Sequence, residues 1–590
     1  MTDEGFYIHN ARNLILFGKE RTDDFNNVLI MPVLHWVQFF VFRIFGVGAV
    51  QARSISVVLS LLTLPLFFDL MHRAFRWRVA FVATVFLGFD HIYALYNRMA
   101  LMDTPACAFL ICSIYALIRG VQELQAQSLE KRDGSDPLLA DEALTRTNWT
   151  RFKIKWLLLS GALFVLTFTV RGLIGLFLPA FLVSLYAGLH GLSFPRRLMA
   201  LFAFLVGVAL AGIAYALLWY APHYHEIVRV NRYYIQELLL PHTSANFHKN
   251  LIVGLFDYPR GMMPYLFRHS TAAFCLALLG VVSLISESLL KLNLHKRIPH
   301  WIRHDAPEPR EYWDGKTPDQ MRDMLSPAGK TTLCFFGLSL LISWLFLCCV
   351  DYAPSRYYMM FYPSMMGIAG YCLFQIPKMV YKLWRHRLFM ALSSSFLFCL
   401  LAQSFRAKTD YISANDMSYL FFGVFVAFLA GSFLYKGSGD NTRDLNRYDD
   451  WMKRSGEVAA FGAVVWCGLN IYWTADWLDT MTWRQREQDR RLQETLPPNS
   501  TLIGAVAPGL CLNNRFKCVN VIERLCNDDH PVERAESPAY IVILDDKWKE
   551  EWWVKHYPEL VETHRRKIKI TGLLRSFFTI GVYPKDKESR

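Results

Sequence analysis

Long apolar runs separated by short polar loops fill most of the chain between residues 52 and 475. Most are roughly 17 to 24 residues long, enough to cross about 30 Å of hydrocarbon as a helix. They fall near 52–72, 77–97, 104–120, 155–169, 173–190, 197–220 and 270–290, and again near 331–350, 358–375, 384–403, 417–435 and 457–475. This pattern predicts a mainly α, polytopic helical membrane protein with about twelve transmembrane helices. The short runs 155–169 and 173–190 also fit one re-entrant pair. Ahead of the first run, "NVLIMPVLHWVQFFVFRIFG" opens a helix at Pro32 and places His35, Gln38 and Arg43 in one arc of the helical wheel. That arc predicts a helix lying in the membrane interface. After residue 476 the pattern shortens to β-rich runs, "TLIGAV", "AYIVILDD" and "FFTIGVYP", with a helix over "KWKEEWWVKHYPEL" between the last two. A small α/β domain is expected there.

Composition supports the membrane reading: of 590 residues, 53% are hydrophobic, 15% aromatic and only 19% charged. The formal charge of +13 would suit a nucleic-acid partner only if the basic residues shared one domain. They lie between apolar runs, so no nucleic acid is expected and they serve to orient the chain. Arg73, Arg76, Arg78, Arg196, Arg197, Lys378, Lys382, Arg385 and Arg387 mark one face, as do the basic residues between Lys436 and Arg454, which makes that face cytoplasmic. The hydrophilic loops 121–154 and 291–330 share it. By parity the start of the chain, the outer loop 221–269 and everything after about 476 face outward. The organisation expected is an outward first loop with interfacial helices (1–51), a transmembrane domain (52–475) and a soluble exoplasmic α/β domain (476–590).

Twelve cysteines form no C-x-x-C pair, and Cys107, Cys112, Cys334 and Cys348 lie in apolar runs as small hydrophobes. Cys511, Cys518 and Cys526 cluster in the outward C-terminal region, where one disulfide among them fits an oxidising compartment. There is no P-loop, no G-x-G-x-x-G after a strand, and no internal repeat of the kind transporters carry. "NDDHP" at 527–531 reads as a turn and not a metal site. The sequons at Asn148 and Asn499 carry no weight without a host. Metal dependence is open: no cofactor is indicated, and a divalent metal is compatible with the sequence.

The polar residues on the outward side of the membrane carry the candidate chemistry. Asp3 and Glu4 open a helical stretch, Asp103 begins a span within "NRMALMDTP", and Arg171 and Arg356 lie in "FTVRGLIGLFLP" and "PSRYYMMFYP". Arginine at a membrane junction is costly unless it meets an anion or a water-filled cavity. Acids and arginines on one face suit a reaction in which a hydroxyl loses a proton while a phosphate leaves.

The order "DEGFYIHNARNLILFGK", "NRMALMDTP", "FTVRGLIGLFLP", "PSRYYMMFYPSMMGIAG" resembles the C-type glycosyltransferases (GT-C fold) of the aminoarabinose-transferase and protein O-mannosyltransferase group. The resemblance runs in register over residues 1 to about 375. It implies an inverting enzyme that moves a sugar from a polyprenyl-phosphate-linked donor to a membrane-associated or envelope acceptor, either a hydroxyl or a phosphate of lipid A, another glycolipid, a glycan or a protein. It further implies the cytoplasmic (inner) membrane of a bacterium, with the site outward. Asp3 matches the general base and Asp103 the acid of the second outer loop. Arg171 stands where relatives often carry lysine and would hold the carrier phosphate, with Arg356 and Tyr357 as further contacts. Glu4, Arg229 and Arg232 are accessory candidates. Two departures stand out. Relatives of the aminoarabinose type enter the interfacial helix on a lysine-proline pair, whereas this chain has Met31-Pro32, so that phosphate contact is absent or replaced. Relatives also place a transmembrane helix ahead of the first acid, so the opening stretch reads as an outer loop whose leading helix lies upstream of Met1.

Simpler readings stand beside each candidate. Thr2 can cap a helix whose first turn holds Asp3 and Glu4 against its dipole. Asp103 before Thr104-Pro105 is an ordinary helix start, and both arginines can snorkel to headgroups. From another class, a transporter or flippase of a lipid-linked or phosphorylated sugar would also use arginines along a phosphate path, and a non-catalytic scaffold would be indifferent to Asp3 and Arg171.

Overall fold

The computed structural model describes residues 2–20, 23–24, 27–130, 154–233, 326–349, 355–385, 484–521, 539–544 and 580–584, with isolated positions between 464 and 478 and between 527 and 535; the side chain of Asp3 is outside the description. The chain opens with helix α1 (Thr2–Phe17), then α2 (Pro32–Phe45), α3 (Ala49–Ala74), α4 (Trp77–Phe89), α5 (His91–Asn97) and α6 (Asp103–Glu130). Helix α7 (Lys155–Val170), a 3-10 segment Gly172–Phe177, α8 (Leu178–Gly188) and α9 (Phe194–Tyr215) follow, then the helices Tyr224–Tyr233, Pro327–Cys349 and Tyr362–Arg385. Among the described residues three helices are long and apolar enough to cross a membrane: Ala49–Ala74, Asp103–Gln127 and Phe194–Tyr220. They coincide with the runs read at 52–72, 104–120 and 197–220. The runs at 270–290, 384–403 and 417–435 and the helix expected over "KWKEEWWVKHYPEL" lie outside the described residues, as does most of 457–475.

The run at 77–97 is not one straight helix. Helices α4 and α5 meet at 63°, because the Asp90 carboxylate accepts a hydrogen bond from the Tyr93 N–H at 2.8 Å and starts a new helix there. The 155–190 region forms two apolar helices joined by the 3-10 segment, with Arg171 at the junction in extended backbone.

An apolar core built around Phe67, Leu70, Ile111, Ile114, Phe181 and Phe204 joins the membrane helices. Small residues let them approach closely. A Cβ on Gly161 would meet the Phe204 carbonyl oxygen at 2.2 Å, and one on Gly207 would meet that of Leu158 at 2.1 Å. Helices α7 and α9 therefore cross backbone to backbone. Across the opposite face of α7, Ser113 and Ser160 each donate to the other's carbonyl at 2.8 Å, which pins α6 to α7.

The C-terminal region forms a four-stranded sheet, β1 (Thr501–Ile503), β2 (Lys517–Val519), β3 (Ala539–Leu544) and β4 (Ile580–Pro584), in the order β2-β1-β3-β4. Strand β1 pairs in parallel with β2 and β3, and β3 pairs antiparallel with β4. The sequence pattern anticipated three of these strands and missed the three-residue β2. Cys511 and Cys518 are buried free thiols, so no disulfide joins that pair; Cys526 lies outside the described residues. Asn527 and His530 take left-handed φ of 51° and 56°, as expected of a turn.

This sheet domain docks on α1. Arg12 is buried and donates from Nη2 to the carbonyls of Asn514 (3.0 Å) and Phe516 (2.6 Å). His9, also buried, lies 3.0 Å from Cys518 Sγ and 3.4 Å from Asp23 Oδ2. Gly5 packs so tightly that a Cβ there would meet the Gly509 nitrogen at 2.3 Å. The Ala49 N–H that begins α3 donates to Asn513 at 2.9 Å. Helix α1 is thus held between the membrane helices and the sheet domain, with its first turn fixed from both sides.

Candidate active site

Asp103 is the first residue of α6, and Arg171 caps the end of α7. The packing of α6 on α7 brings them together, and Arg171 Nη1 donates to Asp103 Oδ1 in an ion pair whose side chains are 2% and 0% exposed. The second carboxylate oxygen, Oδ2, is buried and accepts no hydrogen bond among the described residues. The Arg171 guanidinium lies over the Tyr357 ring at 4.3 Å, and that of Arg356 lies 5.8 Å from the same ring. Tyr357 and Arg356 come from the 3-10 segment Ser355–Phe361, which enters the helix Tyr362–Arg385. Four residues from three distant stretches therefore form one centre, with two guanidiniums sharing a tyrosine face. Beside it is a small hollow of about 10 Å³, lined by Leu173, Leu176, Phe177, Ser343, Phe346 and Met360 along with Tyr357 and Phe361.

Glu4 is placed differently from the expectation. Its carboxylate is buried and accepts from Arg53 Nε at 2.8 Å, from Arg53 Nη2 at 2.6 Å and from the Ala100 N–H at 2.8 Å. Burial alone would raise its pKa. The Arg53 guanidinium and the Ala100 N–H outweigh burial and hold the carboxyl below its ordinary value. Glu4 is therefore held as a buried strut, with its carboxylate turned to Arg53 and Ala100. It ties the first turn of α1 to α3 and to the loop that delivers Asp103. Asp3 lies in the same first turn. Arg229 and Arg232 are exposed on the helix Tyr224–Tyr233 and are not part of the buried centre.

Arg53, Arg12 and His9 were not picked out from the sequence. Arg53 had a signal, since it enters the span 52–72 at the membrane junction just as Arg171 and Arg356 do theirs. The other two carry no local mark, because the contacts that bury them, from Arg12 to Asn514 and Phe516 and from His9 to Cys518, span about 500 residues of sequence. Burial pulls the His9 imidazole down, yet the facing Cys518 sulfur and Asp23 carboxylate together hold it up at about 10. Burial also pushes the Cys518 thiol well above its usual range.

The arc of α2 needs correction. His35 and Gln38 face inward and are buried, Arg43 is exposed, and the outer face carries Trp36, Phe40, Ile44 and Phe45 at 41% to 71% exposure. The 14-residue helix is about 21 Å long and too short to cross the hydrocarbon. Its outer aromatic face suits the acyl boundary, and its polar groups point into the protein. Among the described residues no group of three or more His, Cys, Asp or Glu side chains is arranged to hold a metal ion.

Fold and centre together define an integral membrane protein with the C-type glycosyltransferase fold. Along its length it is similar to ArnT from Cupriavidus metallidurans bound to undecaprenyl phosphate, at 15% identity, covering 99% of this chain and 94% of that one with a TM-score of 0.51. Residues 31–129, from α2 through most of α6, match the dolichyl-phosphate-mannose-protein mannosyltransferase family. That stretch contains Asp103 and excludes Asp3, Arg171 and Arg356. The archaeal oligosaccharyltransferase AglB from Archaeoglobus fulgidus, in complex with an inhibitory peptide and a dolichol-phosphate, is more distant, with 13% identity, coverage of 88% of this chain and 60% of that one, and a TM-score of 0.39. No curated protein matches the chain in sequence.

Proposed function

We propose that this protein is an inverting glycosyltransferase that moves a sugar from a polyprenyl-phosphate carrier to a hydroxyl or phosphate acceptor. The observation that carries the reading is the buried Asp103–Arg171 ion pair set against the half-buried Tyr357 and Arg356. Such a site suits an anion, because Asp103, Arg171 and Arg356 sum to one net positive charge. The protein we envisage lies in the cytoplasmic membrane of a bacterium, with the centre and residues 476–590 on the outer face. Nucleotide sugars are confined to the cytoplasm, so an outward site requires a lipid-bound sugar.

In this reaction Asp3 takes the proton of the acceptor hydroxyl as the oxygen attacks the anomeric carbon. The bond from that carbon to the phosphate oxygen breaks, and polyprenyl phosphate leaves with the electron pair. Arg171 and Arg356 stabilise the charge growing on the departing phosphate, where a guanidinium fork is effective. Asp103 orients Arg171 through Oδ1 and offers Oδ2 to an acceptor or sugar hydroxyl. The resident ion pair keeps Arg171 aimed before the donor arrives.

The test is reconstitution of the full chain in vesicles supplied with a labelled polyprenyl-phosphate sugar and envelope lipids. Release of free polyprenyl phosphate in step with labelled product is expected. Movement of intact labelled lipid across the bilayer, with no consumption, would replace the proposal with a flippase.

A further inference from the structure

The inner stripe of α2 runs through Met31, Leu34, His35, Gln38 and Phe42. At one end Met31 and Leu34 pack with Ala106 and Val170, neighbours of Asp103 and Arg171. At the other end Phe42 packs with Ile8, Ala11 and Ala100, beside the Glu4 strut. His35 and Gln38 lie between these apolar clusters, one helical turn apart on one face. Each has a buried polar atom, His35 Nε2 and Gln38 Oε1, that makes no hydrogen bond among the described residues. The Glu20 carboxylate faces His35 Nε2 at 3.9 Å, beyond hydrogen-bond reach. Burial keeps the imidazole down at about 4, so it is neutral.

Two unsatisfied polar side chains on the inner face of a helix whose outer face is aromatic represent stability given up for something else. The chemistry of the pair narrows the ligand. Neither group is charged, so a phosphate would gain little here, and its place is already provided by the guanidiniums of Arg171 and Arg356. A neutral imidazole and a carboxamide both donate and accept. That capacity matches sugar hydroxyls, which also do both. We propose that His35 and Gln38 form the subsite that recognises the hydroxyls of the donor's sugar, and so help to set which sugar is transferred. The inference rests on the transferase reading above and adds the residues that read the sugar.

The experiment compares wild type, Gln38→Met and His35→Leu as full chains in nanodiscs, with His35→Gln as the variant that keeps a hydrogen-bonding group. Affinities are measured for bare undecaprenyl phosphate and for undecaprenyl phosphate carrying glucose, mannose or arabinose, together with the thermal midpoint without ligand. Wild type is expected to bind at least one sugar-loaded carrier more tightly than the bare one. Gln38→Met and His35→Leu should each reduce that advantage about five- to tenfold, the worth of a hydrogen bond in a dry site, and leave bare-carrier affinity unchanged. His35→Gln should retain part of the advantage. Because each apolar substitution removes an unsatisfied buried group, the ligand-free midpoint should stay level or rise. A lowered midpoint would show that the pair is structural and overturn the proposal. Equal weakening for bare and loaded carriers, or an undiminished sugar advantage in both variants, would overturn it while leaving the transferase reading intact. Failure of wild type to bind any of these carriers would remove both.

Discussion

Glu4→Ala tests the assignment of this acid as a strut. The substitution leaves the Ala100 N–H without its acceptor, a loss of about 1–3 kcal/mol for a buried amide. It also leaves Arg53 without its anion. The Arg53 side chain is 31% exposed, so water recovers most of that charge, and about 1 kcal/mol is added and not the 3–5 kcal/mol of a fully buried broken pair. The expected total is about 2–4 kcal/mol. Glu4→Gln keeps an oxygen for Ala100 and loses only the charge, at about 1–2 kcal/mol. The sign with pH follows from the depressed carboxyl. Its stabilisation is complete above the unfolded value of about 4.5 and is lost as pH falls through the lower folded value. Denaturant unfolding of the purified chain in nanodiscs, at pH 7 and at pH 4, measures both effects. A Glu4→Ala protein within about 0.5 kcal/mol of wild type at pH 7, or a Gln variant less stable than the Ala variant, would refute the strut.

Other expectations follow from the same contacts. Arg12→Met removes both hydrogen bonds to the carbonyls of Asn514 and Phe516 and should cost about 2–3 kcal/mol, seen as faster amide exchange across 514–519. The His9 charge, held up to about 10, stabilises docking fully below pH about 6.5, and this is lost as pH rises through about 10. Cys518→Ser and Asp23→Asn should each flatten that profile, as thermal midpoints from pH 6 to pH 10 would show. Gly207→Val places a side chain against the Leu158 carbonyl and should destabilise by more than about 2 kcal/mol, with little folded protein recovered from membranes.

Among the described residues, the spans at 52–72, 104–120 and 197–220 and three of the four strands are legible in the sequence, because burial and lipid contact impose periodicity on it. The 3.6-residue and 2-residue patterns survive wherever one face meets an apolar phase. The break at Asp90 was hidden because the apolar run continues through it, and only the capping carboxylate marks the 63° bend. Helix α2 was read at its correct start, but its polar arc faces the protein interior, an orientation that the wheel alone leaves undetermined. The meeting of Asp103, Arg171, Arg356 and Tyr357 could be expected from motif order. Their pairing could not: Glu4 and Asp103 are both acids at helix starts, and what separates a strut from a site residue is whether Arg53 or Arg171 lies across from it. That depends on how helices pack, which no window of sequence contains.

The proposed reaction requires an acid in the first turn of α1 to activate the acceptor against a sugar whose phosphate is held at Arg171. Its most direct test is a single-turnover experiment on Asp3→Asn, with donor bound before acceptor is added and free polyprenyl phosphate followed in time. Donor affinity and thermal midpoint close to wild type, with transfer slowed at least about 100-fold, is the expected result. Transfer at the wild-type rate in a folded, donor-loaded Asp3→Asn protein would contradict it.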